Sequence, residues 1–182
     1  MSAPSAARAG RAIGSMFFAV FGAVWLVIWR VQAKGTNVAS LAIIIAATVL
    51  LFLASLRQFR VNKSSLAAEA DSPESKRNGR MFNIVNAGQW ILILVVVNVL
   101  NNIGRRDWDF TAVIFIVGAH FFPLAVLFRY RRHYYTGAAM VAVAVLYPLL
   151  AKDGAASPVG CLWAGLILWA SSVSALLPDR SL

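Results

Sequence analysis

The sequence predicts an all-α integral membrane protein with six transmembrane helices arranged as three helical hairpins. Three observations carry that expectation. Hydrophobic residues make up 60% of the 182 positions and charged residues 13%, against ~45–50% and ~25% in soluble domains. Mean hydropathy is +0.72, more apolar surface than a soluble fold of this length can hide. The apolar residues fall in six runs that reach the ~20 residues a spanning helix needs, and no two-residue alternation suggests a membrane β-barrel.

The first run covers 13–31. Arg8 and Arg11 precede it, but its apolar core exceeds the ~7–15 residues of a signal peptide and no clean cleavage site follows, so it reads as a retained helix behind a tail at 1–12. The second covers 38–56 and the third 82–100. Between them lies the longest connection, 57–80, which mixes basic residues with Glu69, Asp71 and Glu74 and contains Ser72-Pro73. It reads as a solvated loop, with Ser64–Ala70 able to form a short interfacial helix. The fourth run covers 110–128, with Asp109 suited to cap it. The fifth covers 134–151. The sixth covers 158–177, with Ser157 as its cap and Pro158 in the first turn, and a short tail at 178–182 follows.

Net charge is +10. The basic residues concentrate in the N-terminal tail, the 57–80 and 129–133 connections and the C-terminal tail. That side carries 12 of the 17 lysines and arginines. The positive-inside rule therefore places both termini in the cytoplasm. The expected partners of this charge are membrane lipids. Nucleic acid is not expected, since no basic stretch is interleaved with exposed aromatics. Small residues at Ser15, Ala19, Ala23, Gly160 and Ala164 offer faces for close helix packing, and the six short-looped helices are compatible with a homo-oligomer. Cys161, the single cysteine, reads as a small core hydrophobe.

Residues 16–28 align with 81–93, sharing Met16/Met81, Phe17/Phe82, Val20/Val85 and Trp25/Trp90. A tandem, parallel hairpin duplication would explain this, as would chance similarity between apolar helices. Phe18, Phe21 and Val24 of the first copy correspond to Asn83, Asn86 and Gln89 of the second.

The candidate site follows from which polar residues enter the spans. All acids and lysines lie outside the apolar runs, which argues against carboxylate-driven proton exchange and against a buried Schiff-base lysine. His133 falls in a connection, leaving His120 as the titratable group at membrane depth. Pro123, three residues on, frees the Ala119 carbonyl and bends the helix. Folding the third and fourth spans about residues 105–106 brings His120 level with Ile91, near Gln89 and Trp90. Asn83, Asn86 and Gln89 share one helix face. A polar-aromatic pocket between spans 3 and 4 is therefore expected, lined by His120, Gln89, Asn86, Trp90, Pro123 and Asn83. Arg105, Arg106 and Trp108 would form its outer lip. The same residues also fit interhelical hydrogen bonds that only hold helices together. No metal site, cofactor or catalytic group is indicated: His120 has no acid, base or nucleophile beside it in the sequence pattern.

The segment Gly118-x-His120-Phe121-Phe122-Pro123-Leu124-Ala125, followed by Tyr134-Tyr135-x-Gly137 and Gly160-Cys161-Leu162, resembles small integral membrane proteins encoded in bacterial genomes. The resemblance spans about 98–177. It implies a bacterial origin, and so the inner membrane, but no activity, substrate or cofactor. The expected function is thus a non-enzymatic protein that binds or passes a small, neutral or weakly polar solute or lipid. The alternative is a structural or regulatory protein acting through protein partners.

Overall fold

A computed structural model describes residues 3–34, 37–69 and 71–177. They form six α-helices: α1 Ala3–Lys34, α2 Val38–Glu69, α3 Pro73–Asn102, α4 Asp109–Leu127, α5 Arg132–Leu150 and α6 Val159–Leu176. All six are long and apolar enough to cross a membrane, and the chain is a multi-pass membrane protein.

The helices run past the apolar segments in the first half of the chain. Residues 3–12 are not a tail but the first turns of α1, where Ala6, Ala9 and Ala12 are buried. With Ser15, Ala19, Gly22 and Leu26 they make one buried stripe at three- and four-residue spacing, the period of a helix face. The 57–80 segment is not a loop either. α2 continues to Glu69, and α3 starts at Pro73 behind Ser72, whose hydroxyl accepts the Ser75 N–H at 3.1 Å. Residues 64–69 are therefore the last turns of α2 rather than a separate interfacial helix; Ala70 and the 178–182 tail lie outside the described residues. No Gly or Pro interrupts 57–69, so nothing local ends the helix there. At its start, Asn37 accepts the Ala39 N–H at 2.9 Å.

The caps expected downstream are partly altered. Ser157 Oγ accepts the Val159 N–H at 3.4 Å, but α6 starts at Val159, so Pro158 rather than Ser157 holds the N-cap position and no side chain caps the helix. Asp109 makes no side-chain cap at the start of α4; its carboxylate instead accepts from Asn101 Nδ2 at 3.3 Å across the α3–α4 turn.

In space the helices neighbour one another in the order α2, α1, α6, α5, α4, α3, and α2 scarcely touches α3. The core draws on α1, α4, α5 and α6: Phe18, Trp25, Ile114, Phe121, Met140, Tyr147, Cys161 and Leu168 are among its buried members. Cys161 packs there as a hydrophobe, fully buried. α3 contributes no buried residue.

Two crossings depend on glycine. A Cβ on Gly137 would lie 2.8 Å from the Gly118 carbonyl oxygen, and one on Gly118 would lie 2.9 Å from the Val141 nitrogen, so α4 and α5 meet backbone to backbone. A Cβ on Gly165 would lie 2.9 Å from the Gly22 carbonyl oxygen, where α1 meets α6. Close backbone approach maximises dispersion contact, which holds membrane helices together where lipid removes the hydrophobic drive.

Hydroxyl groups tie the same helices. Ser15 Oγ lies 2.8 Å from both Ser55 Oγ and Ser172 Oγ, and Ser172 donates to the Ser15 carbonyl at 3.0 Å. All three side chains are fully buried. Thr136 pairs with Ser171 at 2.8 Å between α5 and α6, Thr111 with Tyr147 between α4 and α5, and Trp169 Nε1 donates to the Ala19 carbonyl at 3.0 Å.

Candidate functional site

α4 carries His120 one turn before Pro123, which sits inside the helix. The His120 ring is half-buried and meets the Val85 backbone carbonyl on α3. That carbonyl is the one an α-helix pairs with the N–H of Gln89. His120 therefore lies against the turn that carries Gln89, lower on α3 than level with Ile91. Its Nδ1 is buried and has no hydrogen-bond partner among the described residues.

The other expected lining residues divide. Asn86 and Gln89 are half-buried, while Asn83 and Pro123 are exposed. Trp90 is 48% exposed. The structure thus brings His120 to the Val85–Gln89 turn but does not enclose Trp90, Asn83 and Pro123 with it. In the expected lip, Arg105 pairs with Asp107 at 3.3 Å and lies 5.4 Å from the Trp108 ring centroid. These contacts join near neighbours in one turn, and Arg106 is exposed. The repeat partners also differ in setting: Trp25 is 8% exposed where Trp90 is 48%, because α1 is central and α3 peripheral.

His133 is where the sequence reading fails most clearly. It is not in a connecting loop but in the first turn of α5. Its ring sits among four aromatics, with centroids 4.9 Å from Tyr130, 5.7 Å from Phe121, 5.9 Å from Phe18 and 6.4 Å from Phe128. Phe121, on α4, also packs on the His120 ring at 6.0 Å. The two histidines thus flank one phenylalanine, which corrects the placement of His133 in a connection away from the helix core. His133 Nδ1 is likewise buried without a partner among the described residues. The Arg11 guanidinium lies 5.8 Å from the Tyr130 ring centroid and that of Arg132 6.0 Å. A usable signal was the position of Phe121 and His133 on either side of a short turn, which returns the chain beside itself.

A neutral imidazole has one donor and one acceptor nitrogen. The His120 N–H meets the Val85 carbonyl, so its unused Nδ1 is an acceptor; such a nitrogen can take a hydrogen bond from a hydroxyl while the aromatic walls hold an apolar body. Among the described residues no cluster of three or more histidines, cysteines or carboxylates could hold a metal ion. Comparison with protein families, with curated proteins and with solved structures found no match.

Proposed function

We propose that this protein is a non-enzymatic multi-pass protein of a bacterial cytoplasmic membrane, with both termini cytoplasmic, which binds or passes a small, weakly polar solute or lipid. The ligand would sit at the α3–α4 seam and the adjoining histidine–aromatic cluster. The observation that carries this reading is the pair of buried, unused ring nitrogens on His120 and His133, either side of Phe121. A buried polar atom left without a partner costs about 1–3 kcal/mol, and a ligand hydroxyl, which can donate to one ring nitrogen or accept from another, would remove that cost. Gln89 and Asn86 extend the hydrogen-bonding surface along α3, and the basic asymmetry of the sequence supports the orientation.

Native mass spectrometry of the detergent-solubilised protein tests this. The wild type should retain a small-molecule adduct that His120→Leu and His133→Leu both lose while their melting temperatures stay close to wild type. An adduct retained equally by both variants, or none in the wild type, overturns the reading.

A further inference from the structure

The ends of α1, α2 and α6 border an open recess of about 390 Å³ whose charged lining, among the described residues, is basic: Arg8 and Arg11 from α1, and Arg57 from α2. Gln58 and Asn62 add amides, and Leu176 and Leu177 of the α6 end form an apolar wall. The cavity of about 360 Å³ at Pro73, Glu74, Arg77 and Arg129 differs in kind, since Glu74 sets a carboxylate against its arginines.

Helix arithmetic gives the cavity a floor. Arg11 lies one turn before Ser15, Gln58 three residues after Ser55, and Leu176 one turn after Ser172. The fully buried serine cluster joining α1, α2 and α6 therefore closes the space directly beneath. A headgroup can enter; an acyl chain cannot go deeper between these helices.

An apolar track leaves the cavity along the outside of α2. Val61 and Ala54 line the cavity, and Leu50 and Ile43 continue at spacings of four and seven residues, which keeps all four on one helix face. Val61 is 74% exposed, Leu50 69% and Ile43 68%. From Ala54 to Ile43 the helix rises about 16 Å, close to half of the ~30 Å hydrocarbon thickness.

We propose that this cavity is a binding site for an anionic phospholipid. Its phosphate is held by Arg8, Arg11 and Arg57, and an acyl chain lies along the Ala54–Ile43 face of α2. Guanidinium groups bind phosphate oxygens in parallel hydrogen-bond pairs. A basic recess at the helix ends beside an exposed apolar track fits a charged headgroup with a tail, where a free phosphate would need only the recess. The site adjoins the histidine cluster through Arg11, which also lies over Tyr130; its test changes only Arg8 and Arg57 and does not depend on the function proposed above.

Lipid retention is measured by native mass spectrometry on protein released from nanodiscs of phosphatidylcholine containing phosphatidylglycerol. The variant is Arg8→Gln with Arg57→Gln; both side chains are exposed, so folding is checked by melting in lipid-free detergent. The wild type should retain phosphatidylglycerol over phosphatidylcholine. The double variant should lose that preference by roughly thirtyfold, about fivefold for each cation beside an anionic headgroup. Arg77→Gln with Arg129→Gln, at the other cavity, should match the wild type. Equal retention of the two lipids overturns the proposal. So does an equal fall in both double variants, which would mean surface charge alone. Stabilisation by inorganic phosphate in lipid-free detergent as large as that by phosphatidylglycerol would assign the recess to free phosphate and also overturn it. Should the Arg8/Arg57 variant fail to fold, Ala54→Phe, which fills the recess from the exposed side of α2, must reduce phosphatidylglycerol retention while leaving phosphatidylcholine unchanged.

Discussion

Replacing Gly118 or Gly137 by alanine should force α4 and α5 apart. The methyl group of Gly137→Ala would sit 2.8 Å from the Gly118 carbonyl oxygen, where ordinary contact begins at 3.4 Å. The shortfall is about 0.6 Å, and neither neighbour is a flexible side-chain end: Gly118→Ala meets the Val141 nitrogen and the Cβ of Met140, a residue with no exposed surface. A radial gap of 0.5–1 Å forfeits a quarter to a half of each dispersion contact across the interface. Overpacking of this kind costs about 1–3 kcal/mol, partly offset by the ~1 kcal/mol that alanine gains over glycine in a helix. Gly88→Ala on α3 is the control, since its Cβ would meet open space. The double variant should cost less than the sum of the singles, because the first methyl has already separated the helices. Titrating SDS into protein folded in mild detergent, with helical circular dichroism as the signal, measures the differences. If Gly118→Ala and Gly137→Ala prove as stable as Gly88→Ala, or strictly additive, the backbone contact does not exist.

Ser15→Ala leaves Ser55 and Ser172 without their shared partner and should lower stability by ~0.6–2 kcal/mol in the same titration, whereas Ser64→Ala should change little. The turn after α3 and the turn after α4 each place one residue in the left-handed region, Gly104 at φ 74° and Arg129 at φ 48°; Arg129→Gly should therefore raise stability by up to ~1 kcal/mol and Gly104→Ala lower it. If the orientation proposed above holds, a cysteine at the exposed Asp71 in a Cys161→Ser background should react only with reagent on the cytoplasmic side, and one at Asp107 only from outside; the reverse pattern would invert the topology. His120→Gln should melt closer to wild type than His120→Leu if the ring serves only as interhelical glue, and the two variants should instead melt alike if it serves a ligand.

The six helices were legible because apolar run length is a local property that lipid enforces. The helical extensions were not, because Arg57 to Glu69 carry charge, and charge was read as loop although no breaker occurs before Pro73. Polarity decides where a helix leaves the bilayer; Gly, Pro and caps decide where it stops. The polarity of α3 pointed to its seam with α4, where the His120 ring meets the Val85 carbonyl. Trp90 was misplaced because a sequence cannot tell a helix face that meets protein from one that meets lipid when both are apolar. The serine cluster and the histidine pair were missed for another reason. Ser15 and Ser172 are 157 residues apart, and what joins them is the packing of α1 on α6, which no periodicity encodes.

That packing fixes when the protein can finish folding as it is made. Gly22, Ala19 and Ser15 find their partners on α6, in Gly165, Trp169 and Ser172, yet about 125 residues are synthesised between the end of one helix and the start of the other. At ~5–20 residues per second, α1 waits roughly 6–25 s in the bilayer with α2 as its main neighbour. Its buried stripe suits the delay: it is built from alanine, glycine, serine and Leu26, with no charge to leave stranded in lipid. A nascent chain released before Val159 would leave the small-residue face of α1 without its α6 partner.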